Sequence, residues 1–356
     1  MPPILKFLIV RLLSVFITLL IITAILYGIV MLAPPEERAT LYLPKGMRSD
    51  IKPEQIEAMI EKIVERRHLR DPYPVQYILW MGNLLKGDLG YSPALHDDVL
   101  AVLLRRTPVT AELALYSILA FIPLGIISGV LAAKNESKSS DDRFRLAAYT
   151  ATSMPPFILA LILLAVFYVT LHWFAPERLS IQNSLVIHEA SFQTYTGLLT
   201  IDGLLNGRAD ISKDAALHLV LPVFTLSLVH WATLGRVTRS TMIEELRKEH
   251  ILAAKGRGIS TNRLVWKHAF RNILSTALSS SALSAASLVT GVYVVEVIYN
   301  FHGLSEIVIR SVLSVPDAPA LLGFAIYSVI MVLAITFFLD IFQAIVDPRI
   351  REGVIS

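Results

Sequence analysis

Six stretches of this chain are too long and too apolar for an ordinary soluble core. They cover residues 12–33, 109–133, 146–174, 215–234, 277–299 and 321–346. A helix needs roughly 20 apolar residues to cross about 30 Å of hydrocarbon. Inside lipid it must satisfy its own backbone hydrogen bonds, which a helix does within one segment. Composition agrees: 17% of residues are charged, against about 25% in a soluble domain. The expected fold is all-α, a polytopic membrane helical bundle with six transmembrane helices. Lys6 and Arg11 precede the first stretch. Its apolar run exceeds that of a signal peptide, and Ala33-Pro34-Pro35 makes a poor cleavage site, so residues 1–33 are expected to stay as an anchor helix.

Lysine and arginine in short connections set orientation. The second connection carries Lys134, Lys138, Arg143 and Arg145. The fourth, 235–275, carries nine basic residues: Arg236, Arg239, Arg247, Lys248, Lys255, Arg257, Arg263, Lys267 and Arg271. Arg349 and Arg351 follow the last stretch, whereas the fifth connection holds only Arg310. Six crossings place all the basic connections with both termini on one side, which this rule makes the cytoplasm. The long segment 34–107 then lies outside, followed by a five-helix domain over 108–356.

Several chemistries are excluded early. There are no cysteines, hence no disulfides, thiolate metal sites or cysteine nucleophiles. No P-loop, zincin or serine-hydrolase motif occurs, so the chain is expected neither to be an enzyme nor to hold a cofactor or metal. Nothing points to nucleic acid. Gly82 through Asp88 superficially suggests an intramembrane aspartyl protease, but Asp88 falls outside every span.

The outer segment has its own pattern. Ser49-Asp50 and Pro53 mark a helix start, and Ile56, Ile60, Ile63 and Val64 recur at helical spacing opposite Glu57, Glu61, Lys62 and Glu65. The sequence predicts an amphipathic helix there. A second is expected over 75–85, ended by Gly87-Asp88-Leu89-Gly90.

The fourth connection is the most informative. A helix is expected over 242–254, then an interruption at Lys255-Gly256-Arg257-Gly258, then a second helix capped by Ser260. Ala253 and Ala254 leave room for another helix to approach, and Gly258 frees the backbone for the turn. From the residues alone, this is either a basic loop set by topology or a docking surface.

Residues 250–272 resemble the cytoplasmic docking loop of membrane subunits from binding-protein-dependent ABC importers. The general pattern is Glu-Ala-Ala, three residues, Gly, nine residues, then Ile-x-Leu-Pro. Ala253-Ala254 and Gly258 fit, while Leu252 replaces the glutamate. His268-Ala269-Phe270-Arg271-Asn272 is similar to the dipeptide/oligopeptide permease branch. Further likenesses run in order: Gln76-Tyr77 with Gly87–Ser92, Arg106–Thr110 with Glu112-Leu113, Asp142-Arg143 with Ser153-Met154-Pro155, and His218–Pro222. Glu296-Val297-Ile298 with Gly303-Leu304 and Asp347–Arg351 complete the set. His302 and Ser305 depart from it, standing where proline and glycine are usual.

The resemblance implies a type I ABC importer membrane domain in the cytoplasmic (inner) membrane. It implies a second homologous permease subunit, separate ATP-binding subunits carrying ATP and Mg, and an extracytoplasmic solute-binding protein. It assigns ATPase docking to Glu249, Ala253, Ala254, Lys255, Gly256, Arg257, Gly258, Ile259 and Ser260. Peptide is the expected cargo, although the branch also carries nickel chelates, glutathione and oligosaccharides.

Charge inside the spans is a separate clue, since an ionised acid at a helix centre costs about 2.5–3.5 kcal/mol. Glu296 would line the translocation path, brace the outer gate or pack helices, and Asp340 lies toward the inner half of the last span. His230 is expected either as a hydrogen-bonded interhelical residue or in the path, and Pro222 is a further candidate for the path or gate. Pro123, Pro155, Pro156, Pro222, Gly125, Gly129 and Gly291 are places to bend or pack closely. The competing class is an ion-driven secondary transporter, which would place ionisable residues at the midplane of several helices.

Overall fold

The computed structural model describes residues 3–42, 53–313 and 317–346. The Ser49-Asp50 helix start, the side chain of Ile56 and the Asp347–Arg351 motif lie outside the described residues. Among those described, five helices are long and apolar enough to cross a membrane: Ile4–Val30, Val99–Lys134, Ala209–Leu246, Thr261–Ile298 and Ala318–Val346. The middle three overrun their apolar cores. Hydropathy sees only the lipid-soluble part, whereas polar residues such as Arg105, Arg106, Glu244 and Glu245 continue the helix beyond it.

The third stretch departs from expectation. It is no single helix but a pair, Ser139–Ser153 and Pro156–Thr170, bent by 100°. The residue before a proline is pushed out of the helical region. Met154 accordingly adopts φ −104°, ψ 119°, and Pro155 has ψ 139°. Pro156 then starts the new helix, where its missing N–H costs nothing. That helix widens into π-helical turns over Leu164–Thr170. Counting the pair as one span gives six.

The chain forms two compact units. One comprises residues up to Arg11, Val109–Phe301 and those from Val332 onward. Its core joins Leu113, Phe121, Leu234, Met242, Leu288 and Val292, all buried. Lipid does not drive helices together, so close backbone approach must. A methyl group at Gly129 would come within 2.5 Å of the Gly235 carbonyl oxygen and 2.8 Å of Thr238 Cβ. One at Gly235 would meet the Phe144 ring at 2.9 Å. Gly125 and Gly129 thus seat the 99–134 helix on the 209–246 helix, as their small size suggests. Gly291 has only ordinary contact, with Leu226 at 3.5 Å.

The other unit comprises Leu12–Pro108 and His302–Met331. The expected amphipathic helix is present as Pro53–Arg66, and Ile60, Ile63 and Val64 pack with Ala39, Tyr42 and Leu69. The second is Tyr73–Leu85, and Gly87 and Gly90 follow it with φ +80° and +88°. Tyr27 stacks on Trp80 at 4.8 Å, and Tyr73 on Tyr77 at 5.8 Å. Arg38 is buried and donates to Gln76 Oε1 (2.6 Å) and the Leu69 carbonyl (2.8 Å). A two-residue antiparallel ladder pairs Tyr91 with Asp98 and Ser92 with Asp97, too short to leave a periodic signal. Ser92 Oγ donates to Asp317 Oδ2 (2.5 Å), and Arg106 pairs with Glu306 (2.7 Å).

The glycine contact makes a direct prediction. Gly129→Val should destabilise the protein by about 1–3 kcal/mol through overpacking, read as a lower thermal midpoint in detergent. Gly256→Ala, where the added methyl meets open space, should not lower it.

Candidate functional site

The basic connection after the 209–246 helix is shorter and more structured than expected. That helix stops at Leu246, so the expected 242–254 helix is broken at Arg247-Lys248. The amides there bond back to Glu244 and Glu245 (3.3 and 3.1 Å). A separate helix, Glu249–Gly256, follows. Gly256 therefore ends this helix instead of interrupting it. The turn falls at Gly258, whose φ of +78° is strained for any residue with a Cβ. Ser260 precedes the next helix, but its side chain makes no capping bond. Its carbonyl accepts from the Leu264 amide (3.0 Å).

The Glu249–Gly256 helix has one inward anchor, Ile251, buried in the main core with Leu264 and Val265. Ala254 and Ile259 are half-buried against the same core. Glu249, Leu252, Ala253, Lys255, Gly256, Arg257, Gly258 and Ser260 are exposed, and Leu252 is 54% so. A short helix is thus pinned from below and presents small, apolar and basic groups outward.

Its base is held by charge. Glu245 is buried and receives Asn272 Nδ2 (2.6 Å), Lys248 Nζ (2.6 Å) and His250 Nε2 (3.2 Å). Arg239 donates two bonds to Asp141 (2.5 and 2.6 Å), whose side chain is fully buried. Lys134 reaches Asn262 (3.1 Å) and Arg247 reaches Glu136 (2.8 Å). These contacts bring the second and fourth connections to one end of the unit. Sequence reasoning read their cations as topology signals and, although it counted Glu245 among the acids of the fourth connection, assigned none of these pairings.

The charges in the spans are partnered. Glu296 is fully buried and accepts from Thr110 Oγ1. Asp340 forms an ion pair with Arg11, which the sequence marked only as a flanking charge. His230 is half-buried with its ring 5.5 Å from that of Phe121. Pro222 is buried inside the 209–246 helix.

The opposite end carries a cluster the sequence did not reveal. Arg178 donates to Glu112 (2.5 Å) and the Gly197 carbonyl (3.2 Å). The Thr200 amide and hydroxyl donate to the other Glu112 oxygen (2.9 and 2.7 Å). Asp202 accepts from Thr196 and Gly197, and Asp214 from Ser180 and Asn183. Each acid thereby fastens part of the 176–214 segment. No group of three metal-ligating side chains forms among the described residues.

A pinned basic helix at one end, and glycine-packed spans beneath it, can be compared with known proteins. Residues 122–352 match the family described as binding-protein-dependent transport system inner membrane component, and residues 4–114 match its N-terminal counterpart. The chain belongs to this family of inner membrane transport components. It is 31% identical over 295 residues to the di/tripeptide transport system permease protein of Pseudomonas aeruginosa, covering 83% of this chain and 85% of the relative. It is 30% identical to the oligopeptide transport system permease protein of Bacillus subtilis, covering 94% and 96%. With the dipeptide transport system permease protein of Haemophilus influenzae it shares 29% identity over 98% and 99%.

The protein is thus a multi-pass inner membrane component of a binding-protein-dependent transport system. Its departures at His302 and Ser305 find ordinary surroundings. The His302 carbonyl accepts from Arg106 (3.0 Å), and Ser305 is buried.

The two kinds of ion pair at the basic end should behave differently. Arg239→Ala leaves a buried carboxylate unpaired and should cost about 3–5 kcal/mol. Arg247→Ala removes an exposed pair and should cost less than about 1 kcal/mol. Thermal unfolding in detergent separates them.

Proposed function

We propose that this chain is a pore-forming permease subunit of an ATP-binding-cassette importer for peptides, and that the 249–260 segment receives the ATPase. The observation carrying this reading is the exposed Glu249–Gly256 helix, held at Ile251 and turned at Gly258. A surface of this kind offers a partner groove small side chains with cations around them. In this reading the basic end is cytoplasmic, in keeping with its lysines and arginines. Separate subunits bind ATP and Mg. A second homologous permease completes the pore, and an external solute-binding protein delivers cargo to the 34–107 and 176–214 segments.

Force applied at the docking helix has a direct route into the membrane. Glu245 ties its base to Asn272, within the 261–298 helix. The adjoining 209–246 helix meets the 99–134 helix through glycine. ATP-driven closure of the ATPase pair would bias these helices between two packings, one open inward and one outward. The names of the relatives favour a peptide cargo. An ion-driven transporter is disfavoured because the span carboxylates Glu296 and Asp340 already have side-chain partners.

Two substitutions test the docking surface. Ala253→Trp adds bulk on an exposed face, and Gly258→Pro forbids the positive φ of the turn. Both should abolish copurification of the ATP-binding subunits and ATP-dependent peptide uptake while leaving the chain in the membrane. Wild-type uptake by either variant would sink the docking assignment.

A further inference from the structure

A cavity of about 600 Å³ opens between the end of the Pro156–Thr170 helix and the start of the 209–246 helix. It lies within one compact unit, at the end opposite the basic connection. Its size falls in the range of small-ligand sites. Tyr168, Trp173 and Phe174 form an aromatic wall, and His172, Glu177, Ser180, Gln182, Asp214 and His218 supply the polar groups. Among the described residues, no lysine or arginine lines it.

The ionised groups of the lining, Glu177 and Asp214, both accept. His218 Nδ1 lies 2.9 Å from the Asp214 backbone carbonyl, which can only accept, so Nδ1 carries the proton. The same Nδ1 lies 3.3 Å from Asp214 Oδ1, so the ring is held against that carboxylate. His218 is more than nine-tenths buried, and Nε2 has no partner among the described residues. Glu177 uses one oxygen toward Asn300 Nδ2 (3.1 Å), leaving the other available. Asp214 Oδ2 is occupied by Ser180 and Asn183, which fixes its charge at the wall. Two carboxylates and aromatic faces select a cation that donates hydrogen bonds. The absence of a three-ligand cluster among the described residues argues against a transition metal.

We infer that this cavity binds a primary alkylammonium group, from an aminophospholipid headgroup or from a soluble amine. Its surroundings suit the lipid source. Trp173 is exposed beside the end of an apolar helix, the level at which membrane proteins place tryptophan. Ile181 and Leu217 on its rim are exposed apolar groups along which acyl chains would lie. The site is separate from the docking surface and does not depend on the transport reading.

The test uses the full-length chain in two arms. In the lipid arm, nanodiscs contain equal phosphatidylethanolamine and phosphatidylglycerol, and native mass spectrometry counts the lipids retained. In the soluble arm, ethanolamine is titrated against ethylene glycol, with tryptophan fluorescence as the signal. The expected result is at least fivefold preference for phosphatidylethanolamine, reduced at least threefold by Glu177→Gln and by Trp173→Ala. Both side chains are exposed, so an unchanged thermal midpoint should accompany the loss. Amine preference confined to the soluble arm, and lost in the same variants, assigns the site to a soluble amine. No amine preference in either arm, or a preference that survives both substitutions, overturns the inference.

Discussion

Apolar helices gain nothing from leaving lipid for one another, so their association must come from close fit. In this chain the fit is set where the 99–134 helix meets the 209–246 helix with no side chain between Gly129 and Gly235. Other ties depend on that approach. Ser227 Oγ reaches the Ser117 carbonyl (3.2 Å) and Trp231 Nε1 reaches Ser128 Oγ (3.0 Å) across the same interface. Hydrogen bonds of these lengths need backbones already brought together. The 209–246 helix also packs along the 261–298 helix, and Thr225 and Tyr299 share a hydroxyl–hydroxyl bond (2.9 Å).

Polarity is then arranged by depth. Weak hydroxyl ties serve the middle of the unit, where charge is most expensive. Full ion pairs sit toward the ends, as Asp141 with Arg239 at one and Glu112 with Arg178 at the other. Burying a pair is a poor source of stability, but it is a strict condition on geometry. Asp141, on the helix before the proline break, can be buried only if Arg239 is beside it. The two helices carrying them are thereby indexed to each other.

Much of this was legible in the sequence, for reasons that also explain the misses. Hydropathy finds apolar length, so five spans were placed well and their polar extensions were not. The Met154-Pro155-Pro156 break was visible as residues but not as an angle, because two prolines state where a helix ends and not where the next one points. The 249–260 segment was singled out by resemblance. Its anatomy was misread because Lys248 and Glu249, ordinary helix formers, hide the break, whereas Gly256 advertises one that comes later at Gly258. Glu112 was quoted only as part of a motif. Its partners Arg178 and Thr200 are distant in sequence, and no local pattern announces them. Arg11 and Asp340 lie at opposite ends of the chain, so their pairing had no local signal either.

The wide turns at Leu264–Ala269 have an effect on register. A turn closed between i and i+5 holds one residue more than an α-helical turn, and one residue is about 100° of rotation. A helical wheel phased on Thr261–Arg263 therefore assigns the wrong azimuth to everything after Phe270. Spin labels or cysteine cross-links designed along the 261–298 helix need two separate wheels, one on each side of that turn.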